Sequence, residues 1–279
     1  MTAWSFCPTQ VQEVLSNVKI KNKGTREDID LYKKLWLDWT EDFEGPKYFK
    51  DWATCNGIHD ALIQQIVHNK DKHFYTFTGD YLFYPVLLKP YQHTVVSWEH
   101  IDTIQSNSYI IVSQPNHIGC LIPYWDHLIS HCEKNNIKIF LDCAFFGTTL
   151  DKFNMDEYKN VIDCVAFSLS KNFMLGGIRA GIVFGNDLNP SLTVPTSIHF
   201  GYSYFNSTAV EVAKKIMPAF KSTYITEVAK PIQEQYCRDN EIIPCDIWMM
   251  GRDLDGSRVN LIDNLKDTVQ NELDKNGSI

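Results

Sequence analysis

Four short apolar runs between Tyr109 and Phe184 restrict the fold more than any other feature of the chain. They are Tyr109-Ile110-Ile111-Val112-Ser113, Ile137 to Cys143, Val161 to Phe167 and Gly181-Ile182-Val183-Phe184, and each is rich in β-branched or aromatic residues. Runs of this length and composition read as buried strands. A helical stretch from about Ile122 to Asn135 separates the first two, and strand, helix, strand in that order is a parallel crossover. The chain is therefore expected to form an open α/β sheet, whose ligands collect at the carboxyl ends of the strands.

The polar residues of interest stand at such ends. Ser168-Leu169-Ser170-Lys171 follows the third run and sets one lysine beside two hydroxyls, with Arg179 eight residues later and Gly181 two beyond that. An ammonium held near an apolar sheet is costly unless paired or neutralised, and capture of a carbonyl as a Schiff base is one use of such a lysine. A solvated turn lysine is the commoner case for an isolated example. The first run ends at the turn Gln114-Pro115-Asn116-His117-Ile118-Gly119, and Asp142 closes the second, where it could simply cap the next turn. Upstream, Asn56-Gly57-Ile58-His59-Asp60-Ala61-Leu62 opens a helix whose N-terminus can receive an anion, since Gly lets backbone N–H groups approach and the dipole favours negative charge. Short strands over 73–77 and 93–98 flank the aromatic cluster Tyr81, Phe83 and Tyr84.

Composition narrows the classes. The 279 residues are 44% hydrophobic and 22% charged, as in an ordinary globular protein, and the net charge of −8 argues against a general nucleic-acid binder. Eight cysteines without a Cys-x-x-Cys pair suit reduced thiols in the cytoplasm, and neither a signal-type N-terminus nor a bilayer-length apolar run is present. Nine histidines lack metal-ligand spacing, so no metal is assigned. Residues 10 to 43 read as helical, broken at Lys21 to Gly24, with Thr25 as an N-cap and Leu31, Leu35, Trp36 and Trp39 as a partial apolar stripe for the core or a dimer contact.

In this order the segments resemble the fold type I pyridoxal-phosphate enzymes, the aspartate aminotransferase superfamily. Ser168, Lys171, Asn172, Phe173, Arg179 and Gly181 match the Ser-x-x-Lys signature. Asn56, Gly57, Ala61 and Leu62 match the phosphate loop, with Ile58 where a hydroxyl is usual. Asn116 and Gly119 match Asn-Pro-x-Gly, with His117 in place of the proline, and Asp142 and Ala144 match Asp-x-Ala-Tyr, with Phe145 in place of the tyrosine. Arg258-Val259-Asn260 is similar to a late Arg-hydrophobic-Asn segment.

The resemblance implies pyridoxal 5'-phosphate as cofactor, carried by Lys171 as a Schiff base. It implies that Ser168 and Arg179 grip the phosphate with Gly57, Ile58 and His59, and that Tyr81, or failing it Tyr84, stacks on the ring. It gives Asn116 to the phenolic oxygen and Asp142 to the pyridinium nitrogen, which keeps the ring an electron sink. Phe145 cannot donate the bond that the family's tyrosine makes. Arg258, or alternatively Arg252, pairs with the substrate carboxylate near Asn116, and Ser203 to Ser207 resembles the segment that reaches the neighbour's phosphate in family dimers.

The implied architecture is a three-layer α/β/α fold with a mostly parallel mixed sheet. Residues 1–45 form an N-terminal helical segment, 46–220 the cofactor-binding large domain, and 221–279 a C-terminal small domain reduced by the short interval between Lys171 and Arg258. The implied function is an aminotransferase of the class I/II type acting on an amino acid or related amine, as a homodimer, with no nucleic-acid or membrane partner. Phe145 and the reduced small domain leave elimination, decarboxylation or cyclisation on the same cofactor as the alternative, and a non-catalytic fold relative behind that.

Overall fold

The main sheet contains β1 (Asp51–Cys55), β2 (Phe74–Phe77), β3 (His93–Val96), β4 (Tyr109–Ser113), β5 (Lys138–Cys143), β6 (Ile162–Ser168) and β7 (Gly181–Gly185), side by side in the order β1-β7-β6-β5-β4-β2-β3. These elements come from a computed structural model, which describes residues 6–19, 25–40, 46–122, 124–151, 160–197 and 204–276. Every neighbouring pair is parallel except the two made by β7, with β6 and with β1. The helices are α1 (Thr9–Ser16), α2 (Arg26–Trp39), α3 (Ile58–His68), α4 (Tyr84–Leu88), α5 (Trp125–Asn135), α6 (Pro190–Ser197), α7 (Tyr204–Ala219), α8 (Tyr224–Asp239) and α9 (Ile262–Asn276). A second sheet of β8 (Ile243–Pro244), β9 (Met250–Arg252) and β10 (Arg258–Asn260) is antiparallel.

The four expected strands are all formed, and their unbroken apolar runs reflect burial on both faces, as parallel sheets require. Successive residues point to opposite sides. Ile110, Val112, Ile139, Leu141, Val165 and Phe167 join one apolar cluster, which includes residues of α2, α5, α7, α8 and α9. Ile111, Phe140, Cys164, Ala166 and Val183 join the other, beneath α3. The sheet is thus the middle of three layers.

In α2 the buried face is Ile29, Tyr32, Trp36 and Trp39; Leu31, which the stripe was expected to include, is exposed. The face is set by the packing partners. Trp39 stacks on Phe173 at 5.5 Å and its Nε1 donates to Phe220 O at 3.0 Å, while Tyr32 Oη donates to Gly181 O at 3.0 Å. A capping box of Thr25 and Asp28 starts the helix, and Lys214 of α7 pairs with Asp28 at 3.0 Å. α2 therefore backs the loop that carries Lys171. Truncating the fully buried Phe173 to alanine would cost about 3–5 kcal/mol.

Two close approaches bring the strand ends together. Gly181 stands opposite both Ser168 and Cys55, and a Cβ there would lie 2.9 Å from Gly57 Cα, so only glycine lets the start of α3 come this near β7. On the other side, the turn after β4 is stitched to the C-terminal segment: Ile247 N–H donates to Gly119 O at 3.1 Å and Leu121 N–H to Asp246 Oδ2 at 2.6 Å. The buried Gln233 of α8 holds that segment through Met250 O at 2.6 Å and Ile247 O at 2.9 Å. This arrangement carries β10, and with it Arg258, to the carboxyl edge of the main sheet.

Candidate active site

The carboxyl ends of β4, β5 and β6, with the start of α3 and the loop before α4, surround a cavity of about 530 Å³. Ile58, His59, Tyr81, Asp142, Phe145, Ser168, Lys171, Arg179 and Arg258 line it, together with Leu62, Phe83, Tyr84, Ser113, His117, Ala144 and Ser170. Of the residues given a principal role from the sequence, Gly57 and Asn116 are outside the lining, as is the alternative Arg252.

Lys171 sits on a loop closed by Leu169 N–H to Ala180 O at 3.1 Å and Leu175 N–H to Leu169 O at 3.2 Å, with Leu169 and Phe173 buried on either side of it. Its Nζ lies 5.9 Å from the centre of the Phe145 ring. Burial, reinforced by the charges of Arg258 and Arg179 and opposed by Asp142, brings the amine down to about 8. Asp142 is buried at the end of β5, where its Oδ2 accepts from Tyr84 Oη at 2.8 Å and its Oδ1 from Ala144 N–H at 2.9 Å. Burial pushes this carboxyl up to about 6, against those two bonds and the charge on Lys171.

A second buried acid, Asp80, stands behind it and was not singled out in the sequence. It accepts from Ser113 N–H at 3.0 Å, from the Ser113 hydroxyl and from Tyr81 N–H at 2.7 Å. Burial, and to a lesser extent the charge on Asp142, raises it to about 7 against these bonds. Ser113 at the carboxyl end of β4 is the ladder partner of Asp142 and the hydrogen-bond partner of Asp80, so it stands between the two acids. The available sequence signals were the aspartate preceding Tyr81 and a hydroxyl at a strand terminus.

At another part of the cavity, Gly57 begins α3 at φ +78° with no side-chain cap. Arg179 lies across this start, donating from Nη2 to Asn56 O at 2.7 Å and from Nη1 to Gly176 O at 2.9 Å. A Cβ on residue 57 would fall 2.4 Å from Arg179 Nη2, which explains why the position is glycine. An uncapped helix start, a guanidinium and the Ser168 and Ser170 hydroxyls make an anion site. Tyr81 packs edge-on against Tyr84 at 5.3 Å and His117 at 5.4 Å; the Tyr84 hydroxyl is committed to Asp142.

Arg258 donates from Nη1 to His117 Nε2 at 2.8 Å and to His117 O at 3.1 Å. His117 Nε2 is therefore the acceptor and the ring is neutral, and burial, with the charges of Arg258 and Lys171, holds it down at about 4. The alternative candidate, Arg252, pairs with Arg258 across β9 and β10 but does not reach the cavity. Asn116 is buried, and its Oδ1 accepts from Cys120 N–H at 3.0 Å, so its side chain closes the turn that presents His117. The Ser203 to Ser207 segment begins outside the described residues.

The fit to pyridoxal phosphate can be judged from these features. The glycine cradle and Arg179 suit a phosphate, the buried Asp142 carboxyl suits a ring nitrogen, and Lys171 is an amine close enough to feel the charges of both Asp142 and Arg179. The residues present fit the group.

The family model "Aminotransferase class I and II" matches residues 120–279. No curated protein sequence gives a significant match. Among solved structures, the fold is similar to an aspartate aminotransferase from Thermus thermophilus with maleate, at 12% identity and TM-score 0.63 over 88% of this chain and 73% of that one. An aromatic amino acid aminotransferase from Burkholderia cenocepacia is 13% identical with TM-score 0.63, over 98% of this chain and 89% of that one. A PLP-bound C-S lyase from Staphylococcus hominis is 13% identical with TM-score 0.59, over 88% and 72% respectively. At these identities the structures share a fold with the chain.

Proposed function

The chain belongs to the class I and II aminotransferase family, whose cofactor is pyridoxal 5'-phosphate, and from that premise we propose that it is an aminotransferase acting on an amino acid or related amine. One observation carries the reading: Lys171, Asp142, Arg179 and Arg258, scattered over the sequence, line one cavity.

When bound, the cofactor supplies an aldehyde for the incoming amine and a ring that accepts the electron pair left by a departing proton. Lys171 Nζ would hold the cofactor at its aldehyde and would be the group that moves the substrate α-proton. An amine at about 8 has a neutral fraction near neutral pH, as a base requires. Asp142, mostly ionised at neutral pH although buried, holds a proton at the ring nitrogen. Arg179, Ser168 and the N–H groups of Ile58 and His59 beyond Gly57 bind the phosphate, and Tyr81 offers a ring face. Asn116, its carbonyl fixed by Cys120, has its Nδ2 as the donor assigned to the phenolic oxygen. Arg258 binds the substrate carboxylate, with His117 fixing one edge of the guanidinium.

The remaining parts of the proposal are a homodimer and a reduced, cytoplasmic setting. All eight cysteines are free thiols, which suits such a compartment, and no described helix is long and apolar enough to cross a membrane.

Phe145 favours a second reading. No tyrosine hydroxyl stands at that position beside Lys171, and elimination from the substrate side chain is the competing reaction. Holoenzyme incubated with single amino acids, with and without a 2-oxo acid, separates the two. Transamination gives sustained turnover only with the acceptor and releases no ammonia. Continuous ammonia release without an acceptor overturns it in favour of elimination.

A further inference from the structure

Asp80 is a buried acid that the proposed reaction leaves without a task. It lies in the turn after β2 and is 5% exposed, although Leu82 and Phe83 just beyond it are 73% and 53% exposed. Gly79, at φ +82°, makes the turn, and Asp80 N–H closes it on Phe77 O at 3.2 Å. The carboxyl group takes three donors. Its Oδ2 accepts from Ser113 N–H at 3.0 Å, and its Oδ1 accepts from the Ser113 hydroxyl and from Tyr81 N–H at 2.7 Å. Ser113 ends β4 and is the ladder partner of Asp142, so these bonds fasten the turn to the strand ends that line the cavity.

A carboxylate is costly to bury, and what distinguishes it here is that both of its oxygens accept. Asparagine in its place would offer one oxygen to the three donors and set an N–H group against another N–H. The residue that needs the anchor is Tyr81. It is half-buried, the two residues after it face solvent, and its ring meets Tyr84 and His117 edge-on at 5.3 and 5.4 Å. Tyr81 O accepts from Tyr84 N–H at 3.0 Å, and Tyr84 Oη donates to Asp142 at 2.8 Å. Tyr81 is thus linked to Asp142 on one side through Tyr84 and on the other through Asp80 and Ser113.

We propose that Asp80 is a positioning residue for the cofactor ring: by fastening Tyr81 to the end of β4, it fixes the height at which Tyr81 presents its ring face relative to the Asp142 carboxyl. The inference rests on the cofactor and on the stacking role given to Tyr81 above, and it is independent of whether the reaction is transamination or elimination. Asp80 touches neither cofactor nor substrate in this role. It acts through Tyr81, so removing its charge and acceptors should matter only while the Tyr81 ring is there to be held.

A double-mutant cycle on cofactor binding tests this. Wild type, Asp80→Asn, Tyr81→Ala and the double variant, each with a cooperative thermal melt, are titrated with pyridoxal 5'-phosphate at pH 8, above the value of about 7 to which burial raises Asp80. Affinity is read from absorbance, and the seating of the ring from the visible circular dichroism of the bound cofactor. Tyr81→Ala should weaken binding by about threefold to tenfold and diminish the visible signal. Asp80→Asn should do the same to a similar degree, and the double variant should bind no worse than Tyr81→Ala alone. Ser113→Ala, which removes only the hydroxyl bond, gives a smaller loss with the same non-additivity and replaces Asp80→Asn if that variant does not fold. Wild-type affinity and visible signal in the variant that folds, or losses that add to those of Tyr81→Ala, overturn the proposal. A wild type that takes up no cofactor overturns the reading beneath it, and this inference with it.

Discussion

Replacing Lys171 with methionine removes a charge that the fold holds at a cost, so the cofactor-free variant should be more stable than the wild type. The amine falls from its ordinary 10.5 to about 8 on folding, chiefly through burial and then through Arg258. At about 1.4 kcal/mol per tenfold change in proton affinity, that drop is a penalty of about 3 kcal/mol. Below about 8 both the folded and unfolded chains carry the proton, and the full penalty stands. Between about 8 and 10.5 the unfolded chain binds a proton that the folded chain lacks, so wild-type stability rises with pH; above 10.5 the penalty is gone. Methionine has a comparable unbranched shape and no proton to bind. Urea unfolding of cofactor-stripped protein, followed by circular dichroism from about pH 7 to pH 10, should give the variant an advantage of about 3 kcal/mol at the low end that closes towards the high end. In melting temperature the advantage is about 5–10 °C for a chain of this size. Equal or lower stability at neutral pH, or a gap that does not change with pH, would refute the electrostatic account of this loop.

Tyr84→Phe removes the hydroxyl that Asp142 Oδ2 accepts at 2.8 Å, so the carboxyl should rise from about 6 towards neutrality. The acid limb of the kcat profile then moves to higher pH and kcat at pH 7 drops by about twofold, and by more at lower pH; an unmoved limb counts against this role of the bond. Gly57→Ala puts a Cβ 2.4 Å from Arg179 Nη2 at φ +78°. Absorbance titration should find cofactor affinity lower by at least about tenfold in a variant that still folds, from a backbone cost of about 1–2 kcal/mol plus the displaced guanidinium. His117→Ala frees the edge of Arg258 held at 2.8 Å, and the expected effect is a rise in KM for a carboxylate substrate of about tenfold with kcat changed less. An unchanged KM would show that Arg258 needs no such support.

The strands were legible because each is a local property: an unbroken apolar run such as Tyr109 to Ser113 can be satisfied only by burial on both sides, and the residue that ends it lands at the sheet's carboxyl edge. For that reason Lys171, Asp142 and Arg179 could be picked out by their distance from a strand end, and Gly57 by its place before a helix. The sequence determined these positions and the residue types at them. Which groups meet was decided by tertiary structure. The bonds from Ser113 to Asp80, Tyr84 to Asp142 and Arg258 to His117 join residues 33, 58 and 141 positions apart, and no local propensity carries that information. The same holds for the choice of Arg258 over Arg252, neighbours on paired strands of which one reaches the cavity, and for Asn116, whose carbonyl closes its own turn. These pairings follow from strand register and from the packing of the C-terminal segment on the turn after β4. Desolvation, which moves Lys171, Asp142 and Asp80 towards neutral pH, exists only once that packing has closed.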